Sequence, residues 1–291
     1  MARRLGLLVA VALSAWLAGR SLGQDRSGGG AAGSEVAASG SFTSDGLHIH
    51  YETMGKGKPI VLVHGWGVSA KRNWVDTGWV KALSPLRRVI TIDCRGHGES
   101  DKPHEQARYG YAAMAGDIVR LLDHLGVERA DYLGYSMGAF MGAHLLGHER
   151  GRFTAMVLAG IGDETDETKD ATFIAQALRA KDRSRISSAL GLGYRLFVEA
   201  DPRNDLEALA VAALQMWPEG YPLELGGPDL AKVDIPVLIV NGSNDHYAES
   251  NKKLSDAIHG ARAIEIRGAD HLSLVDDSRF KDEVSRFLKR D

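Results

Sequence analysis

Apolar residues run along this chain in two rhythms that take turns. Short unbroken runs, Ile60-Val61-Leu62-Val63 and Val89-Ile90-Thr91-Ile92, are rich in β-branched residues without polar alternation. Strands buried on both faces read this way. Ala130-Asp131-Tyr132-Leu133, Ala155 to Ala159, Pro236 to Val240 and Ala263 to Ile266 supply further strands. Between them the period lengthens. Tyr111, Met114, Ile118, Leu121, Leu122 and Leu125 recur at helical spacing and stop at Gly126. A second helix is expected from Met137, and Val275, Phe280, Val284, Phe287 and Leu288 stripe a closing one. The alternating segment Leu47 to Glu52, ending at Gly55-Lys56-Gly57, reads as a strand and turn. Strands alternating with helices predict an α/β fold, a doubly wound and mostly parallel sheet.

One interval breaks the rhythm. From Glu164 to Asp234 there is no strand candidate, only Ala- and Leu-rich helical segments at Lys169–Ala180, Ser187–Val198 and Asn204–Met216. A structureless loop of that length is improbable in a compact domain. The interval 164–234 is therefore expected to form a helical cap or lid inserted into a core made of 41–163 and 235–291. Its place between two core strands sets it at the carboxyl edge, where such sheets bind ligands.

Ahead of the fold, Arg3 and Arg4 precede the apolar run Leu5 to Ala18, followed by small residues at Ser21-Leu22-Gly23. That is the layout of a secretory signal peptide over 1–23, or of an N-terminal membrane anchor if it stays uncleaved. Residues 24–40, rich in Gly, Ala and Ser, read as a flexible linker. The expected location is export, periplasmic or secreted, with membrane contact only through residues 5–18. Cys94 is the single cysteine, so an intramolecular disulfide is excluded. A net charge of −3 gives no basic excess to drive nucleic-acid binding. His48 and His50 alternate on a strand with no third ligand nearby, so no metal is expected there.

The chemistry gathers at a few stations. Gly134-Tyr135-Ser136-Met137-Gly138 follows an apolar strand and opens a helix, the context of a nucleophile elbow. Earlier stand His64-Gly65-Trp66-Gly67, after one strand, and Asp93-Cys94-Arg95-Gly96-His97-Gly98-Glu99-Ser100, after the next. Asp245 and His271 follow the two last strands. With these motifs in this order the chain resembles the α/β-hydrolase-fold serine hydrolases, from about Phe42 to the C-terminus.

The resemblance implies roles. Ser136 is the nucleophile, His271 the base that takes its proton, and Asp245 the carboxylate that orients the base. Asp163, after an earlier strand, and Asp270, beside the base, compete for the acid role. The oxyanion hole falls to the backbone N–H groups of Met137 and Trp66, with His64 shaping the loop. The Asp93–Ser100 segment becomes a structural turn, with Gly96 and Gly98 supplying unusual backbone angles, and His246 a plain loop residue. Phe173, Tyr194, Phe197, Trp217 and Tyr221 become candidate substrate-binding walls in the cap, or its own packing core. The implied reaction is hydrolysis of a carboxylic ester-type bond in a small molecule through an acyl-enzyme, with no metal or organic cofactor. Ser136 in place of aspartate argues against haloalkane dehalogenase and epoxide hydrolase chemistry. Lactonases, C–C bond hydrolases, haloperoxidase-like enzymes, acyltransferases and slow-turnover binding proteins of the same fold share the motifs and stay open.

Overall fold

A computed structural model describes residues 38–163, 171–217 and 221–289. The expected signal peptide, and the expected linker as far as residue 37, lie outside the described residues. In chain order the elements are β1 (Ala38–Ser44), β2 (Leu47–Met54), β3 (Lys58–Val63), α1 (Trp79–Leu83), β4 (Arg87–Ile92), α2 (Tyr111–His124), β5 (Ala130–Tyr135), α3 (Met137–His148) and β6 (Phe153–Ala159). Then come α4 (Thr172–Arg179), α5 (Ala189–Glu199), α6 (Leu206–Met216), α7 (Pro222–Gly226), β7 (Val237–Gly242), α8 (Lys252–Ala257), β8 (Arg262–Ile266) and α9 (Ser278–Leu288).

The eight strands form one sheet in the order β1-β2-β4-β3-β5-β6-β7-β8. β2 pairs antiparallel with β1 and β4, and every pair from β4 to β8 is parallel. Side chains alternate between two faces, as the two-residue strand period requires. Val61 and Val63 of β3 join Met114, Ile118 and Leu145 on one face. Ile60 and Leu62 join Trp79, Phe280 and Phe287 on the other. Tyr132 and Leu133 of β5 divide in the same way. Both faces are covered, which is why these strands read as unbroken apolar runs.

Two expectations need correction. Residues 38–40 are not linker: Ala38, Ser39 and Gly40 open β1 and pair with Thr53, Glu52 and Tyr51. The open edge of β2 supplies backbone partners, so this strand needs only Phe42 as an apolar anchor. Val275 does not belong to the closing helix; it lies in the 3₁₀ turn Leu274–Asp276 before α9. Within the interval 164–234, α4, α5 and α6 match the three helical segments. α7 instead joins the layer beside α3, where a Cβ on Gly147 would lie 1.9 Å from the Gly226 carbonyl oxygen. His148 Nε2 meets the Leu225 carbonyl there at 3.2 Å.

β4 and β5 flank β3 on opposite sides. The chain thus changes direction across the sheet at β3, and the loops leaving β3 and β5 diverge there to open a crevice.

Candidate active site

The elbow is built by close approach of backbone to backbone. All six residues of β5 are buried, and the chain turns at Ser136 with φ 51° and ψ −115°. A non-glycine residue at positive φ is strained, and such strain persists only where the surroundings impose it. Here they do. A Cβ at Gly134 would lie 2.3 Å from the Gly138 carbonyl oxygen, and one at Gly138 only 2.2 Å from that of Val63. The two motif glycines therefore let strand, turn and helix share one volume. Tyr132 Oη donates to the Gly138 carbonyl at 2.5 Å and fixes the turn from below.

Ser136, His271 and Asp245 meet at this turn. His271 Nε2 lies 3.0 Å from Ser136 Oγ, and His271 Nδ1 lies 2.8 Å from Asp245 Oδ2. Asp245 Oδ1 accepts from the N–H groups of Tyr247 (2.9 Å) and Ala248 (3.1 Å), so both carboxylate oxygens are engaged. The Asp245 side chain is fully buried, whereas that of His271 is 16% exposed. Burial works against a charged His271, but the facing Asp245 carboxylate outweighs it and raises the imidazole above its ordinary 6.5. Tyr135 Oη donates to the His271 carbonyl at 2.6 Å and anchors the loop carrying His271. As the first variable position of G-x-S-x-G, Tyr135 carried no signal of this contact.

The loop after β3 is held from several directions. His64 is fully buried; its Nδ1 donates to the Gly65 carbonyl (2.7 Å) and its Nε2 accepts from Cys94 N–H (3.0 Å). His97 Nδ1 donates to the Arg95 carbonyl and its Nε2 accepts from Gly67 N–H, both at 3.1 Å. Both rings act as neutral acceptors. Burial lowers His64, and burial with the neighbouring His64 ring takes His97 down to about 3. Gly65 N–H donates to Asn73 Oδ1 at 3.1 Å, from the π-helical turn Lys71–Val75. The Gly65 carbonyl and the Trp66 N–H belong to one trans peptide and point to opposite sides. With the carbonyl on His64, the Trp66 N–H is turned the other way. Met137 is the first residue of α3, where backbone N–H groups and the helix dipole favour an anion.

The remaining candidates divide. Gly96 and Gly98 have φ +84° and +52°, so the segment after β4 is the turn expected of it. Its Arg95 is buried and ion-paired with Asp117 and Asp45. Asp163 accepts from Lys253 N–H, Leu254 N–H and Ser250 Oγ and so caps α8. Asp270 accepts from the N–H groups of Leu272 and Ser273 within its own turn. The carboxylate that hydrogen-bonds His271 is Asp245. Trp66 stacks edge-on with Tyr194 (5.6 Å between ring centres) and lies 5.4 Å from Trp217; Phe173 is 6.4 Å from Tyr194. Tyr194 continues to Tyr247 (6.4 Å), which lies 5.1 Å from His271. Tyr247 is a member that the sequence reading missed. Phe197 rests against Gly67, where a Cβ would come 3.0 Å from its ring. Tyr221 stands at the N-cap of α7, its N–H donating to Glu224 (2.6 Å). Among the described residues no three His, Cys, Asp or Glu side chains converge to hold a metal.

Fold and site together define a hydrolase of the doubly wound class, and comparison with known proteins agrees. A model of the alpha/beta hydrolase fold family matches residues 58–182. The chain is 30% identical over 272 residues to a Bacillus subtilis protein provisionally named a 2-succinyl-6-hydroxy-2,4-cyclohexadiene-1-carboxylate synthase, covering 84% of this chain and 96% of that one. It is 28% identical over 265 residues to 3-oxoadipate enol-lactonase 2 of Acinetobacter baylyi, covering 86% and 96%. The crystal structure of a hydrolase from Pseudomonas aeruginosa superposes with a TM-score of 0.70 at 26% identity, over 88% of this chain and all of that one. The chain belongs to the alpha/beta-hydrolase family.

Proposed function

We propose that this protein is a serine hydrolase that cleaves a carboxylic ester-type bond through an acyl-enzyme. Ser136 Oγ attacks the carbonyl carbon while His271 Nε2 takes its proton and Asp245 stabilises the resulting imidazolium. The tetrahedral oxyanion is held by the N–H groups of Trp66 and Met137; one such donor is worth about 10²–10³ in rate. Collapse breaks the bond to the leaving oxygen, which departs with the proton from His271. Water, deprotonated by the same ring, then attacks the acyl-enzyme and frees Ser136. The observation that carries this reading is the continuous hydrogen-bonded line from Ser136 Oγ through His271 to Asp245, at 3.0 and 2.8 Å.

The helices α4, α5 and α6 form the cover of this site, and Phe173, Tyr194, Trp217 and Tyr247 supply an aromatic wall for an apolar substrate. Similarity to an enol-lactonase over most of both chains supports a second reading, in which the ester is cyclic and acyl and alcohol parts leave as one molecule.

A panel of p-nitrophenyl acyl esters and lactones, assayed with wild type and Ser136→Ala, tests both. Ser136→Ala is expected to abolish turnover to the residual level of a site without its nucleophile, a loss of about 10⁶ in kcat. Undiminished turnover in pure Ser136→Ala protein overturns the mechanism. Preference for lactones over open esters of equal acyl length selects the second reading.

A further inference from the structure

Four hydrogen bonds clamp the two glycines on either side of Trp66. Gly65 is held at its N–H by Asn73 (3.1 Å) and at its carbonyl by His64 (2.7 Å). Gly67 is held at its N–H by His97 (3.1 Å) and at its carbonyl by Asn204 Nδ2 (3.0 Å). The first three partners come from elements next to the sheet. The fourth comes from the loop joining α5 to α6. Asn204 Nδ2 also donates to the Val198 carbonyl at 2.9 Å, so one carboxamide ties the last turn of α5 to the loop after β3. Its neighbour repeats the tie: Arg203 Nη2 donates to Ser69 Oγ (3.1 Å) and to Asp201 (2.7 Å), and Nη1 lies 3.6 Å from Glu99. α5 sits directly on the loop, since a Cβ at Gly67 would meet the Phe197 ring at 3.0 Å and Val198 Cγ2 at 3.4 Å.

We propose that Asn204 is a positioning residue for the oxyanion donor, and that the α5–α6 loop latches the helical cover to the Trp66 loop. Gly67 has φ +76° and no side chain to limit its rotation. His97 fixes only its N–H, so the carbonyl bond from Asn204 completes the restraint. A donor aids an oxyanion fully only when it is set in place beforehand. Through Asn204 the seated cover becomes a condition for that placement. The inference rests on the Ser136 reading, with the Trp66 N–H as a donor.

The test uses the full chain, p-nitrophenyl butyrate as substrate, and butylboronic acid as a reversible tetrahedral mimic on Ser136. Asn204→Ala is expected to lower kcat and weaken the boronate by the same factor, about 10- to 100-fold, the scale of a donor misplaced by about 1 Å. KM is expected to stay within about twofold, because ground-state binding does not use the oxyanion hole. Arg179→Gln cuts the exposed ion pair from α4 to Glu207 of α6 without touching Gly67, and is expected to leave all three values unchanged. Wild-type kcat and boronate affinity in Asn204→Ala overturn the latch. So does a rise in KM that accounts for the boronate loss, the pattern of a cover that only shapes the pocket. Should Asn204→Ala fail to fold by circular dichroism, Arg203→Met removes the bond to Ser69 and carries the same expectations at smaller amplitude. A wild type that neither turns over nor binds the boronate overturns the Ser136 reading itself. An active wild type with an insensitive Asn204→Ala overturns the latch alone.

Discussion

Both oxygens of Asp245 are occupied, one by His271 and one by two backbone N–H groups, so the carboxylate has little freedom to leave the imidazole. The substitution Asp245→Asn keeps the shape of this side chain and removes its charge. By analogy with the same substitution in other triads, kcat is expected to fall by about 10⁴. The pH profile gives a second readout. In the proposed mechanism only neutral His271 can accept the Ser136 proton, and Asp245 raises the imidazole above 6.5. In wild type kcat/KM should therefore fall on acidification through a midpoint above about 6.5, and in Asp245→Asn that midpoint should move to lower pH. An unmoved midpoint contradicts the pairing. That Ser136, Asp245 and His271 would be brought together was legible in the sequence through the motifs just beyond particular strands and the family they resemble. Asn73, Tyr135, Asn204 and Tyr247 were not. They act through contacts with backbone or rings elsewhere in the fold, and such contacts leave no pattern in the chain.

Among the elements, the elbow leaves no room for side chains at its two glycines. At Gly138 a methyl group would press on the Val63 carbonyl, main chain of the central strand that has no room to retreat. Gly138→Ala is expected to cost about 3 kcal/mol in urea unfolding, at the upper end of overpacking penalties, and to impair turnover because β3 carries the Trp66 loop. Gly151→Ala, with nothing within 4 Å, serves as the control, expected within about 0.5 kcal/mol of wild type. Strands buried on both faces were easy to read, since burial forces them to be apolar throughout. β1 was not, because an edge strand is held mainly by backbone hydrogen bonds that any residue can make. The π-helical turn Lys71–Val75 likewise has no distinguishing period, yet it delivers Asn73 to Gly65.

Across the whole molecule, Ser136, the Trp66 loop, Asp245 and His271 all follow the carboxyl ends of parallel strands, a placement that the doubly wound topology makes predictable. How the cover meets that edge was less readable, because helical segments announce their apolar faces but not their partners. One property of the assembled protein follows from His64 and His97, whose rings stay uncharged in the interior. The unfolded chain takes up protons at these two positions near pH 6.5, while the native state refuses them, His97 until about pH 3. Between those limits acid drains stability by about 1.4 kcal/mol per pH unit through His97, and His64, lowered by burial, acts in the same direction. His271 acts in the opposite sense: its value is raised, so its stabilising share is complete below 6.5 and fades as pH climbs through the native value. Urea midpoints measured at pH 7, 6 and 5 should therefore decline, and His97→Gln, which retains an acceptor, should flatten the slope. Mild acidity thus weakens this protein chiefly by rewarding its disordered form, leaving the loop beside Ser136 undisturbed until the chain opens.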